Sequence, residues 1–340
     1  MRSSKPESSP AGETQVAHMG DWKQCLMADP TDWLLEPENP PVRYRTLVDI
    51  LDLTGDDPQV QAAKAAILSY PPVADLLAAQ GEDGNWGNPD FYLPRASTGT
   101  FWVLTVLADL GLTAEVEHIR RACEFMFGHQ RDDGQFCRRR RVPGQGWVWQ
   151  EGGEPCTQAR ILRFLIQFGY GEDGRVLKGL NWLLESQRED GMWFCRGSQG
   201  HGCLRATLDI LRVAALDFQL ASQPAIAQAA EVVRDLLMRP RMSRYHVGED
   251  WGTWEKLKYP YFGFSVISAL DALARLGYTP AEPKIANAVE YLISRQQADG
   301  SWPLDERWPR SPIDFGAPHE PNKWLTLDAL RAVKLLYSQH

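Results

Sequence analysis

The sequence predicts an all-α protein built as a closed ring of helix pairs, with about six inner and six outer helices. Three observations carry that prediction. A pattern Q-x-x-D-G-x-aromatic recurs at residues 80–86 (QGEDGNW), 130–136 (QRDDGQF), 187–193 (QREDGMW) and 296–302 (QQADGSW). Its copies start 50, 57 and 109 residues apart, the last interval being about two periods of roughly 54. Helical apolar spacing flanks the copies, and no convincing period-two alternation argues for a strand.

The elements follow in order. Residues 1–20, MRSSKPESSPAGETQVAHMG, hold almost no large apolar side chain, which predicts a disordered tail before one domain spanning 21–340. VRYRTLVDILDL is the first inner helix and DPQVQAAKAAIL its partner. TGTFWVLTVLADLGL, TQARILRFLIQFGY, LRATLDILRVAAL, YFGFSVISALDALARLGY and LTLDALRAVKLLY follow as inner helices, starting near 98, 157, 203, 261 and 324. They are apolar around more of their circumference than AEVEHIRRACEFMFGHQ, RVLKGLNWLLESQ and PKIANAVEYLISRQ, which read as outer helices with one buried face. Gly111, Gly169 and Gly277 suit left-handed helix ends. The doubled interval predicts a degenerate repeat near 240, within LLMRPRMSRYHVGEDWGTW. No terminal repeat reads as a polar cap, so the ring is expected to close rather than run open as a solenoid.

Composition excludes some functions. With 36 basic and 44 acidic residues the chain carries a net charge of -8, which argues against a dedicated nucleic-acid binder. The 44% hydrophobic content supports a real core. No apolar run is long enough to span a membrane and the N-terminus lacks a secretory apolar stretch, so the expected location is cytoplasmic. There the six cysteines would stay reduced, and their spacing is read for metal or nucleophile chemistry before disulfides.

The repeat itself reads as scaffold. An amide can satisfy helix-end groups, Asp-Gly makes a tight turn, and the aromatic ring covers apolar surface. At these residues the sequence resembles the prenyltransferase and squalene-cyclase repeat superfamily, in its single-barrel form. That resemblance implies an α/α barrel and an isoprenoid or other apolar small-molecule substrate in a central cavity, handled by a transferase or cyclase. The acid motif of class II terpene cyclases, D-x-D-D, is absent, as is the D-D-x-x-D signature of ionisation-type synthases. A non-catalytic repeat scaffold that binds a partner therefore stays open as an alternative.

Candidate site residues lie at the inner-helix starts. Cys156 and Cys203 open consecutive inner helices, with His201 two residues before the second and Cys195 closing the preceding motif loop. Cys156, Cys195, His201 and Cys203 match zinc donors by type, and zinc is the cofactor they would hold if they converge. Cys203, His201 and His319 are the candidate catalytic groups. Related barrels in prenyltransferases and lanthionine cyclases place zinc here, which keeps a zinc-dependent thiol-addition enzyme open as a further alternative. A basic set, Arg95, Arg138, Arg139, Arg160, Arg205 and Lys323, suits an anionic substrate group, with Arg138–Arg141 taken as a loop. An aromatic set, Phe101, Trp102, Tyr259, Tyr261, Phe262 and Trp324, suits an isoprenoid chain or a cation over ring faces. Packing within the core explains each of these aromatics as well.

Overall fold

The computed structural model describes residues 22–88, 99–195, 201–239, 254–261, 263–308 and 311–338. In chain order its elements are α1 (Thr31–Leu34), α2 (Pro40–Arg45, continued by the turn Thr46–Ile50), α3 (Pro58–Ile67), α4 (Pro71–Ala78), α5 (Thr100–Asp109) and α6 (Glu117–Phe127). The hairpin β1 (Cys137–Val142) and β2 (Gly146–Gly152) comes next. Then follow α7 (Pro155–Leu165, continued by Ile166–Tyr170), α8 (Gly174–Glu185), α9 (Leu204–Ala214), α10 (Phe218–Ala221) and α11 (Pro224–Leu236). The chain ends with β3 (Lys258–Tyr259), α12 (Val266–Arg275), α13 (Pro283–Ser294), β4 (Glu306–Arg307) and α14 (Lys323–Tyr337).

Sequence pattern decides which helices lie inside. Residues 100–108 of α5 are all buried, whereas α6 buries only the stripe Ile119, Ala122, Cys123, Met126 and Phe127. The inner helices α2, α5, α7, α9, α12 and α14 form the ring: α5 packs on α7, α7 on α9, α9 on α12, α12 on α14, and α14 on α2. A hydrogen bond from Arg45 to the Asp109 carbonyl at 3.4 Å links α2 to α5 and completes the circuit. Gly111, Gly169 and Gly277 all take positive φ where inner helices end, as expected.

The repeat motif is the clamp between neighbouring repeats. Each Gln donates from Nε2 to its own motif glycine carbonyl and to a carbonyl in the first turn of the next outer helix. The latter acceptors are His118, Arg175 and Ala225 at 2.7, 2.8 and 2.7 Å. The fourth Gln, Gln296, reaches instead to the Ala28 carbonyl at 2.8 Å and accepts from the Met27 amide at 2.7 Å. The last repeat thus docks on the first residues described, which closes the ring. The indoles of Trp86, Trp193 and Trp302 donate to Leu76, Leu183 and Leu292, capping the last turn of the preceding outer helix.

One detail differs from the sequence reading, and two others refine it. The arginine run is a strand: Arg139, Arg140 and Arg141 pair antiparallel with Trp149, Val148 and Trp147. Adjacent arginines hide the alternation that a strand would otherwise show. The outer layer is less regular than six equal helices, because α3 and α4 share the first repeat while α6, α8, α11 and α13 stand singly. The degenerate repeat has an outer helix, α11, and a buried Trp254, while residues 240–253 lie outside the described residues. Where the Gln clamp is missing, α11 and α13 are joined by Arg234–Glu282 and Lys284–Asp235, both at 3.3 Å.

Candidate functional site

The inner helices carry charge toward one another at three- and four-residue spacing, which places successive groups one turn apart on one face. On α7 these are Arg160 and Arg163; on α9, Arg205, Asp209 and Arg212; on α14, Asp328 and Arg331. Asp109 closes α5, and Arg45 and Asp49 come from α2 and its continuation. Together they form a belt of ion pairs inside the ring. Arg163 pairs with Asp109 across α7 and α5, and Arg160 with Asp209 across α7 and α9 at 2.9 Å. Arg45 pairs with Asp328 across α2 and α14 at 3.3 Å. Arg331 joins Asp271 of α12 at 2.8 Å and Asp49 at 3.2 Å. Every seam except α9 to α12 is thus spanned by an arginine contact among the described residues.

Burial and neighbours set the ionisation of this belt. Burial pushes the Asp109 carboxyl up, but Arg163, Arg212 and Arg45 outweigh it and hold the group below its ordinary value. Asp328 goes the other way. Burial pushes it up to about 7, with Asp271 and Asp109 adding to the rise and Arg45 and Arg212 opposing it.

An aromatic cluster sits against the belt. Tyr259 stacks on Trp324 with ring centroids 5.9 Å apart, and meets Phe315 edge-on at 4.9 Å and Tyr261 at 5.3 Å. Phe315 meets Trp324 edge-on at 5.3 Å. The parallel pairing of β3 with β4 sets Tyr259 beside Arg307 and brings residues 311–315 alongside. Here a cavity of about 320 Å³ opens, lined by Tyr259, Trp308, Ile313 and Phe315, with Arg307 and Asp314 at its polar side. Tyr261 reaches deeper, to within 5.6 Å of the Arg212 guanidinium, measured to the ring centroid.

The cysteine region is organised differently from the expected metal set. Cys156, Cys195 and Cys203 are buried, but His201 is exposed. The Cys156 sulfur faces a cation, accepting from Arg205 Nη2 at 3.2 Å. A hydrogen bond with Cys195, together with burial, pushes the Cys203 thiol up, so it is held as a neutral thiol. Burial also raises the Cys156 thiol, against the pull of Arg205. Among the described residues no three His, Cys, Asp or Glu side chains come together as a metal-holding group. The guanidinium of Arg205 lies where a zinc ion would need negative charge, and the donors as placed do not fit that ion.

The other predicted residues separate into groups. Tyr261 and Trp324 join the aromatic cluster; Phe101 is packed edge-on against Trp102 at 4.9 Å and near Phe164 of α7 at 6.4 Å, as core. Arg160 belongs to the belt, and Arg205, one turn before Asp209 on α9, faces the Cys156 sulfur. Lys323 is engaged with Glu36 at 2.6 Å, tying α14 to the N-terminal segment. Arg138 and Arg139 lie on β1, and Arg139 covers Trp147 at 4.6 Å beside outer helix α6, away from the inner-helix starts. His319 and Glu320 are exposed, and His319 takes a positive φ of 68 in a surface turn, so it does not fold inward as a catalytic group. Arg95 and Phe262 lie outside the described residues. Asp209, Arg212, Asp328 and Phe315 were not singled out from sequence. The signal for the first three was a charged residue every third or fourth position along otherwise buried helices.

No family model matches the chain. A curated relative, the terpene cyclase/mutase atnI of Arthrinium sp, is 25% identical over 222 residues, covering 58% of this chain and 31% of that protein. The match therefore spans under a third of the relative's length. Similar solved structures include the type II terpene cyclase MstE from Scytonema, at 18% identity and TM-score 0.45, covering 87% of both chains. A protein from Actinoplanes is 19% identical at TM-score 0.44, covering 88% of this chain and 90% of the other. A glycosyl hydrolase family 88 protein from Bacteroides vulgatus is 12% identical at TM-score 0.47, covering 88% and 91%. The sequence similarity and the four repeat motifs support a prenyltransferase/terpene-cyclase-like superfamily. No helix among the described residues is long and apolar enough to cross a membrane.

Proposed function

We propose that the protein is a terpene-cyclase-like enzyme that takes an isoprenoid or similar extended apolar substrate into the aromatic mouth of its ring. The observation that carries this reading is the cavity against Tyr259 and Phe315, backed by Trp324 and Tyr261. Ring faces bury apolar chains and attract positive charge, so one surface serves both binding and a cationic intermediate. The sequence relationship to a terpene cyclase/mutase supports the same reaction class. Asp328 is the candidate proton donor. Among the described carboxyls whose titration is shifted, it is the one raised, to about 7, so it keeps part of its proton at neutral pH. Arg45, Arg331 and Arg212 face it from α2, its own helix and α9, Asp271 and Asp109 from α12 and α5, and Tyr259 from the mouth.

The test is incubation with linear polyprenyl alcohols and diphosphates of 10 to 20 carbons, with products read by gas chromatography and mass spectrometry and binding by tryptophan quenching. Binding with cyclised product supports the reading, and turnover should fall as pH rises above about 7 and vanish in Asp328→Asn. Failure of every probe to bind removes it and leaves the non-catalytic scaffold.

A further inference from the structure

The departures from repeat symmetry fall at one seam. Between α9 and α12 the motif is degenerate, the Gln clamp is missing, and no ion pair joins the two inner helices among the described residues. What occupies this seam is Arg212 and Tyr261. Arg212 lies in the third turn of α9 with a side chain 12% exposed, and its one ion pair among the described residues runs along its own helix to Asp209 at 3.8 Å. Asp209 already holds Arg160 at 2.9 Å, so it is shared between two guanidiniums and the longer distance falls to Arg212. Arg45, Arg163 and Arg331 each reach a carboxylate on another helix at 3.3 Å or less. The hydroxyl of Tyr261 is buried, in a residue only 8% exposed, and has no hydrogen-bond partner among the described residues. Burial pushes that hydroxyl well above its ordinary titration range, so it stays a donor. A buried hydroxyl normally finds a partner, and one without it beside an under-neutralised guanidinium marks a place where something else supplies the acceptor.

We infer that Arg212 and Tyr261 form a subsite for the carboxylate of an acidic apolar ligand whose hydrocarbon part lies along Tyr259, Phe315 and Trp324. A carboxylate has two acceptor oxygens, one for the guanidinium and one for the phenol, and its single charge suits one loosely neutralised arginine. A diphosphate would need several cations, and the neighbouring arginines are held by belt carboxylates. Tyr261 touches Tyr259, and Tyr259 lines the cavity, so head group and tail share a continuous path. This inference rests on the proposed apolar-substrate reading for the tail, while the head-group contact stands on its own observations.

The test compares farnesoic acid, farnesol and lauric acid by isothermal titration on the full chain, with benzoate as a carboxylate without a long tail. The acid is expected to bind at least about tenfold more tightly than the alcohol in the wild type, the value of a hydrogen bond to a charged group. Tyr261→Phe and Arg212→Gln should each erase most of that difference. Tyr261→Phe serves as the folding control, since removing a hydroxyl with no partner should leave Tm equal or higher while acid binding falls. Equal binding of farnesoic acid and farnesol overturns the carboxylate subsite and leaves the apolar reading standing. Benzoate binding that depends on Arg212, with no gain from any tail, keeps the subsite and removes the apolar reading. A Tm in Tyr261→Phe well below wild type would show that the hydroxyl has a structural partner, and would overturn the inference.

Discussion

Replacing Gly84 by alanine tests whether the motif glycine is there to let neighbouring repeats touch. Gly84 has φ 83, and a Cβ built on it would stand 2.7 Å from the Arg121 carbonyl oxygen and 2.9 Å from its carbon, both backbone atoms of α6. Gly277 offers a matched control, with φ 93 and nothing within 4 Å of the corresponding Cβ. Both alanines carry the left-handed backbone cost, about 1–2 kcal/mol. Only Gly84→Ala adds the overlap with backbone that cannot rotate away, worth a further ~1–3 kcal/mol as overpacking. The expected losses are therefore about 2–5 kcal/mol for Gly84→Ala and about 1–2 kcal/mol for Gly277→Ala. Urea denaturation followed by circular dichroism measures both, with the midpoint shift giving the difference. Equal losses would show that the turn conformation alone fixes this glycine, and the account of the motif as a clamp would fail.

Three further outcomes follow from the same geometry. Gln296→Ala removes contacts to Met27, Ala28 and Gly300, costs about 2 kcal/mol, and should speed amide exchange in residues 26–31, which Gln80→Ala should leave unchanged. Arg160→Met breaks the buried pair with Asp209 and should cost about 3 kcal/mol by denaturant titration, the low end for such pairs because Asp209 keeps Arg212. Asp109 titrates below its ordinary value of 3.8 in the folded chain, so its contribution is present above that value and lost as pH falls through the lower folded one. Asp109→Asn should accordingly flatten the acid limb of stability against pH below about 4, and an unchanged limb would remove Asp109 from the account.

The scaffold was legible because it is made of local rules repeated. Q-x-x-D-G-x-aromatic fixes a turn, a cap and a contact between repeats, and each is written within seven residues. The inner helices were legible as apolar segments, yet the same segments concealed the belt. Asp209 and Arg212 stand three residues apart within an otherwise buried helix, a spacing that places them on one face. The belt's strongest pairs join different helices: Arg160 is 49 residues from Asp209 and Arg45 is 283 residues from Asp328, so pairing depends on ring closure and not on local sequence. The cysteines are arranged, for a related reason, differently from the expected metal set. Cys156 and Cys203 do open neighbouring helices, but Arg205, two residues after Cys203, turns its charge into the space between them. Sulfur and imidazole at the helix starts read as metal donors only when the charge of the arginine beside them is left aside.

The belt also limits where positive charge can develop during a reaction. Near Arg163, Arg212 and Arg45 a carbocation would be repelled, whereas the stacked faces of Tyr259 and Trp324 would stabilise it. A substrate held by its carboxylate at Arg212 would place its head among the arginines and extend its chain toward those rings. The two requirements point along the same path, since Tyr261 contacts both Arg212 and Tyr259. Asp328 pairs with Arg45 and acts electrostatically on Tyr259, so the proposed proton donor faces both the arginine belt and the aromatic cluster. Substituting Tyr259 by leucine would keep an apolar side chain against the cavity but remove the ring face. On this argument it should lower turnover far more than it lowers binding, while equal losses in both would mean that Tyr259 serves only to pack the ligand.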